Sequence, residues 1–235
     1  MDTKPTFSEL LDTAQGILKS VYGPNSHYTT TYSQYERGYW GQIPNWMGEF
    51  LSGHTNTQIL DIGPGWGGLS CFTKLLVPCD IIAIERKFYL TPLVTRLLDL
   101  SLINGDVERQ AELLWLCAKF GCVIFTEVIE HLNFHPQPTL EMVHEIMLPG
   151  GRLYVSTPDA NSSWGKAPGQ KDLDEAPKFD SKVHSFDNPA WVDAHTHIYT
   201  TVELKGLLVA CGFKIRRESS TNNSWGRHIQ IEAEA

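Results

Sequence analysis

The run Asp61-Ile62-Gly63-Pro64-Gly65-Trp66-Gly67-Gly68 carries the densest chemistry in the sequence. Glycine serves where backbone must adopt positive φ or let a ligand come close. These glycines follow an apolar run, Gln58–Ile62, and precede a helical pattern of Leu69, Phe72, Leu75 and Leu76 that stops at Pro78. A strand, a glycine-rich turn and a helix bring backbone N–H groups and the positive end of a helix dipole to one ligand. Glu85 ends the next apolar run, twenty positions after Gly65. A carboxylate there can accept hydrogen bonds from both hydroxyls of a ribose, so the pair predicts an adenosine-bearing cofactor. The spacing Gly63-x-Gly65-x-x-Gly68 also satisfies the dinucleotide fingerprint. NAD and S-adenosylmethionine are both open on these residues, beside a bare tight turn.

The elements that position this loop follow from periodicity. Thr6-Phe7-Ser8-Glu9 fits a capping box, and Leu10, Leu11, Ala14, Ile17, Leu18 and Val21 then recur at helical spacing up to Gly23-Pro24. Next come Tyr28, Tyr32, Tyr35, Tyr39, Trp40 and Trp46. They read either as rings packing an N-terminal cap onto the core or as a lid facing a substrate, and the two are compatible. From about residue 57, short apolar runs alternate with helical patterns. Strands are expected at Gln58–Ile62, Ile81–Ile84, Leu100–Ile103, Cys122–Phe125, Arg152–Ser156, Phe213–Arg217 and His228–Glu232. Helices are expected after the glycine loop and over Phe88–Leu98, Glu108–Ala118, Thr139–Met147 and Thr201–Cys211. The fully apolar Ile81–Ile84 suits a strand buried on both faces. This order predicts a three-layer α/β sandwich with a mainly parallel, seven-stranded sheet. It divides the chain into a helical, aromatic cap or lid over 1–56 and a cofactor-binding domain over 57–235. The polar stretch 158–196 carries Trp164, Lys166, Lys182, His184, Phe186 and Trp191. A connection this long inside a domain is usually functional or disordered. It follows the fifth strand, so it is expected to cover the ligand crevice together with the aromatic segment.

The bulk composition narrows the class. The chain has 235 residues, 42% hydrophobic and 20% charged, which suits one domain with some decoration. No apolar run approaches the ~20 residues of a membrane span. The start lacks a charged region followed by an apolar one, so no secretory signal is expected. Five cysteines, at 71, 79, 117, 122 and 211, show no paired spacing and read as reduced, which predicts a cytoplasmic protein. The net charge of −8 repels a polyanion and weighs against nucleic acid as partner. Nothing in the sequence sets an oligomeric state.

Three segments select between the cofactors. Leu60-Asp61-Ile62-Gly63-Pro64-Gly65-Trp66-Gly67 resembles motif I of class I S-adenosylmethionine-dependent methyltransferases. Phe125-Thr126-Glu127-Val128-Ile129-Glu130-His131-Leu132 is similar to the segment after that superfamily's fourth strand, and Leu148–Pro158 to its turn into the fifth. His197-Ile198-Tyr199-Thr200, followed by a helix and Gly212-Phe213, is similar to its C-terminal third. The resemblance covers about residues 57–235 in order and spacing, and it implies a Rossmann-like fold. It implies that Gly63, Gly65 and Gly67 line the methionine and ribose of the cofactor, with Asp61 near the amino group. It places Glu85 on the ribose diol, Asp106 and Val107 at the adenine, and Thr126 or Glu127 beside the methionyl end. Where the family often has an Asp before the fourth strand, this chain has Gly121-Cys122, a structural position.

Methyl transfer needs the nucleophile aligned with the methyl group, and a base when the nucleophile is a hydroxyl or an acidic carbon. His131 and His197 are the expected bases, and they tilt the expectation towards oxygen on a small-molecule acceptor of specialised metabolism. His135, His184 and His195 read as solvated loop residues. Glu127-x-x-Glu130-His131 with a distant His197 also resembles the metal set of small-RNA 2′-O-methyltransferases. That likeness implies Mg²⁺ or Mn²⁺ on Glu127, Glu130, His131 and His197, although the same Glu-His-Leu segment occurs in methyltransferases that need no metal. Three alternatives thus stand beside the small-molecule methyltransferase: a metal-dependent RNA 2′-O-methyltransferase, a NAD-linked dehydrogenase, and a cofactor-binding partner protein without catalysis.

Overall fold

A computed structural model describes residues 5–86, 89–109, 120–162, 165–166, 170, 172–178, 194–223 and 226–235. The N-terminal part is helical: α1 (Phe7–Tyr22), α2 (His27–Thr30), α3 (Glu36–Trp40) and α4 (Ile43–Ser52). Strand and helix then alternate through β1 (Gln58–Ile62), α5 (Gly68–Leu76), β2 (Asp80–Glu85), α6 (Pro92–Leu97) and β3 (Leu100–Asn104). They continue through β4 (Phe120–Thr126), α7 (Gln137–Ile146), β5 (Met147–Pro158), α8 (Thr201–Ala210), β6 (Lys214–Asn223) and β7 (Gly226–Glu234). The capping box at α1 forms as expected, with Thr6 Oγ1 accepting from Glu9 N and Glu9 Oε2 from Thr6 N. The helix expected over Glu108–Ala118 lies largely outside the described residues, as do Trp164, Lys182, His184, Phe186 and Trp191 of the 158–196 stretch. Described pieces of that stretch dock: Gln170 Oε1 accepts from Ile198 N at 2.8 Å, and Pro177 O accepts from His135 N at 2.8 Å.

The seven strands form one sheet in the order β3-β2-β1-β4-β5-β7-β6. β1 to β5 run parallel, while β7 is antiparallel to both β5 and β6. The sheet is therefore mainly parallel and Rossmann-like. β1 and β4 are neighbours although two strands, β2 and β3, and their crossovers lie between them in the chain, and this reversal of direction opens a crevice at their carboxyl ends.

Alternation along the central strands splits the core. Leu60 and Ile62 of β1, Val123 and Phe125 of β4, and Leu153 and Val155 of β5 pack with α7 and α8. Ile59, Cys122, Ile124 and Tyr154 face the other way, onto Leu11, Ala14, Leu18, Ile43, Met47 and Leu51 of α1 and α4 and onto Phe72 of α5. The N-terminal helices are thus part of one layer of the sandwich. A helix of the length of α1 is marginal alone, so its stability comes from burying this stripe. Leu18 is fully buried, and Leu18→Ala should cost about 2–5 kcal/mol.

Candidate active site

β1 delivers the glycine loop to the crevice. Gly63 N donates to Ile84 O at 2.8 Å, tying the loop to β2. Gly63, Gly65 and Gly67 all have positive φ, at 67°, 55° and 85°. A Cβ on Gly63 would lie 2.4 Å from Val128 Cγ2, so the loop sits flush against the segment after β4. A Cβ on Gly65 would meet nothing nearer than Tyr32 Oη at 4.0 Å. Gly65 thus faces open space, the wall of a cavity of about 400 Å³. At its N–H stands Glu85, whose Oε2 accepts from Gly65 N at 3.1 Å and whose Oε1 accepts from Arg86 N at 2.9 Å.

The cavity is lined by Gly63, Gly65, Glu85, Asp106, Val107, Thr126, Glu127, Glu130 and His131 of the residues singled out in the sequence. Asp106 Oδ1 accepts from Glu108 N at 2.9 Å, and Glu108 Oε1 from Phe134 N at 2.8 Å, which braces the β3 end against the β4 end. Asp61 and Gly67 are not in the lining. Asp61 points behind the loop, where its Oδ2 accepts from Ser70 Oγ of α5 at 2.5 Å. Burial pushes its carboxyl up to about 7 against the Ser70 hydrogen bond, with Glu85 adding to the rise. Gly67 caps α5 in the left-handed conformation.

The other end of the cavity gathers carboxylates and imidazoles. Glu127 follows β4 with φ 55°, a left-handed conformation that costs a non-glycine residue on the order of 1–3 kcal/mol. Two neighbours hold its carboxylate: Ser156 Oγ donates to Oε1 at 2.7 Å, and His228 Nε2 lies 3.3 Å from Oε2. The next β5 residue, Thr157, donates to Glu130 Oε2 at 2.9 Å. Burial, reinforced by the charge of Glu127, holds the Glu130 carboxyl well above the ordinary range. His131 meets His195 edge to face, ring centroids 4.9 Å apart.

His197 is not brought here. Its Nε2 lies 3.0 Å from Glu203 Oε1 and its ring packs on Tyr199. Glu203 is the third residue of α8 and closes a capping box with Thr200, so helix capping claims the imidazole. The metal set expected from Glu127, Glu130, His131 and His197 is changed in the same way. Glu127 faces Ser156 and His228, and among the described residues the three ligand atoms that lie within 4.8 Å of one another belong to Glu130, His131 and His195. His195, expected in solvent, lines the cavity because Thr196 N and Oγ1 both donate to Glu130 O, at 2.7 and 3.0 Å.

The aromatic segment divides between its two expected roles. Tyr28, Trp40 and Trp46 are buried in the core, while Tyr32 and Tyr39 line the cavity with His27. Tyr22, Tyr28 and Tyr89 pack around Trp66 of the glycine loop, with centroids 5.1, 5.9 and 5.5 Å away. Burial and the neighbouring Glu36 hold the Tyr32 phenol well above its ordinary range, so it stays neutral.

The profile of the family described as "Methyltransferase domain" matches residues 36–218. The chain belongs to that methyltransferase family. The match spans the glycine loop, the strand-end carboxylates Glu85, Asp106 and Glu127, and the His131–His195 pair. Among solved structures, this methyltransferase is similar to the 1,6-didemethyltoxoflavin-N1-methyltransferase of Burkholderia thailandensis, solved with 1,6-didemethyltoxoflavin and S-adenosylhomocysteine (TM-score 0.57, 14% identity, covering 100% of this chain and 92% of that one). It is similar to the magnesium protoporphyrin IX methyltransferase of Synechocystis PCC 6803 with S-adenosylhomocysteine (0.55, 14%, 100% and 90%). It is also similar to the [4+2]-cyclase SpnF (0.56, 13%, 98% and 97%). At these identities the likeness establishes the class I methyltransferase fold. No curated protein matches the sequence. No helix among the described residues is long and apolar enough to cross a membrane.

Proposed function

We propose that this methyltransferase uses S-adenosylmethionine to methylate a small-molecule acceptor, with a hydroxyl oxygen as the favoured site. The observation that carries the reading is one continuous cavity. It runs from Glu85 and Asp106, past the glycine loop, to Glu130, His131 and His195. Glu85 binds the ribose diol, Asp106 and Val107 the adenine, and Gly63 and Gly65 the ribose and methionine, with Gly67 and Asp61 shaping the loop from behind. Thr126 and Glu127 stand beside the methionyl end. The sulfonium of the bound cofactor supplies an activated methyl group, so the protein's own task is alignment and proton removal. His131 is the base for the acceptor hydroxyl, and Tyr32 and Tyr39 wall the acceptor in.

The size of about 400 Å³ falls in the range of small-ligand sites. Among the described lining residues the sole cation is Arg86, at the ribose end, which suits neither a phosphate chain nor RNA. The toxoflavin and porphyrin enzymes of the same fold act on small molecules, in line with this reading. Four free cysteines among the described residues, three of them buried, agree with a reducing, cytoplasmic setting.

A second reading has a specific observation in its favour. The grouping of Glu130, His131 and His195 offers one oxygen and two nitrogen atoms to a divalent ion. Mg²⁺ or Mn²⁺ there would polarise an acceptor hydroxyl. Methyl transfer from labelled S-adenosylmethionine to hydroxylated aromatics and to oligoribonucleotides, with and without EDTA, tests both readings. The first predicts labelled small molecules and no effect of EDTA. Labelled RNA, or activity lost to EDTA and restored by Mn²⁺, would contradict it.

A further inference from the structure

We propose that Glu127, and not Asp61, receives the α-ammonium of the cofactor's amino-acid end, and that His228 on the last strand positions it. This rests on the S-adenosylmethionine reading. Asp61 is 2% exposed and its carboxylate is committed to Ser70 behind the loop, so it does not reach the cavity. On the β4 side of the loop, the cavity lining includes the carboxylate of Glu127, while Glu85 is bonded to Gly65 N at the β2 side. Gly63 packs flush on Val128, the residue after Glu127, and Gly63 and Glu127 both line the cavity.

Glu127 is held for a task. A left-handed non-glycine residue persists only where its surroundings over-determine it, and such residues cluster at ligand clamps. Here Glu127 N donates to Ser156 O at 2.8 Å, Ser156 Oγ to Oε1 at 2.7 Å, and His228 Nε2 stands 3.3 Å from Oε2. An ionised carboxylate has about four acceptor positions. These contacts take two from the strand side and leave the rest for a donor in the cavity. The side chain is 14% exposed, so a ligand can reach it. His228 is itself 1% exposed, and the ring of Tyr39 lies on it with centroids 4.8 Å apart. Glu127 brings carboxylate charge to this end of the cavity, and the one described Lys or Arg in the lining, Arg86, is beside Glu85 at the far end. A ligand ammonium offsets that charge.

The experiment compares two probes by calorimetry on the full chain. S-adenosylhomocysteine carries the ammonium; 5′-methylthioadenosine lacks the whole amino-acid end. Hydrogen bonds to charged groups imply that Glu127→Gln and His228→Phe weaken S-adenosylhomocysteine about tenfold or more. Both variants should leave 5′-methylthioadenosine within about twofold. His228→Gln, whose amide can still donate, recovers most of the loss. The double variant Glu127→Gln/His228→Phe binds no more weakly than Glu127→Gln, because His228 acts through Glu127. If His228→Phe does not fold, Ser156→Ala removes the other anchor and should weaken S-adenosylhomocysteine selectively. Equal losses for both probes, unchanged S-adenosylhomocysteine affinity, or additive effects in the double variant overturn the proposal. Absence of S-adenosylhomocysteine binding by the unmodified protein would instead overturn the cofactor reading beneath it.

Discussion

His195 stands edge to face against His131 because the chain beside it is clamped by Thr196 to the carbonyl of Glu130. The arrangement separates His131, at the cavity, from His197, which caps α8 through Glu203. His131→Ala should lower kcat by about 100-fold or more, the usual worth of a positioned base, with S-adenosylhomocysteine affinity held within threefold. His197→Ala should lower stability by about 1 kcal/mol and leave kcat within threefold. Steady-state kinetics and denaturant melts on the two variants check this, and a reversed pattern would assign the base to His197.

The glycines differ in what a methyl group would meet. Gly63 and Gly68 are closed in: a Cβ would lie 2.4 Å from Val128 Cγ2 in one case and 2.4 Å from Trp40 Cη2 in the other. Gly65 faces the cavity with open space. Gly63→Ala should destabilise the fold by about 2–4 kcal/mol through left-handed backbone strain and overpacking, and Gly68→Ala, at a helical position, by about 1–3 kcal/mol through overpacking alone. Gly65→Ala carries only the backbone cost of about 1–2 kcal/mol, yet should lose S-adenosylhomocysteine binding at least tenfold. A Gly65→Ala protein that binds normally would show that the ligand does not approach there.

Three buried carboxyls, on Glu36, Asp61 and Glu108, are each pushed up to about 7, chiefly by burial. Their unfolded values lie near 4. Between about pH 4 and pH 7 the folded state therefore holds protons that the unfolded state has lost, so stability falls as pH rises through that window and levels off above it. Glu36 is the cleanest probe, being fully buried, bonded to Gln15 and Tyr28, and absent from the cavity lining. Glu36→Gln should melt close to the parent at pH 5 and higher than it at pH 8, with a gain no larger than about 3 kcal/mol. A variant that melts lower than the parent at pH 8 would mean that the ionised carboxylate is favourable.

The architecture was largely legible from the chain, since each strand buried on both faces is an apolar run such as Ile81–Ile84 or Cys122–Phe125. Boundaries were less so: β5 begins at Met147, which pairs with Phe120 of β4, and Pro149 and the two glycines that read as a turn fall in the irregularity before Arg152 resumes the register. The glycine-loop end of the cavity was legible because Gly63, Gly65, Glu85 and Asp106 lie in local motifs at strand ends. The far end was not. His195 depends on a main-chain clamp between distant segments, and His228 sits mid-pattern in a C-terminal strand where only the folded sheet sets it against Glu127. Asp61 was legible near the end of β1 but not in orientation, which Ser70 decides.

The most direct measurement of the central claim is a thermal melt of the purified chain with S-adenosylhomocysteine and, separately, with NAD. A ligand present at 100 times its dissociation constant stabilises the folded state by about 2.7 kcal/mol, which for a chain of 235 residues is a rise of several degrees. The cavity from Glu85 to His131 predicts that rise with S-adenosylhomocysteine and none with NAD. A shift with NAD alone, or with neither ligand, would contradict it.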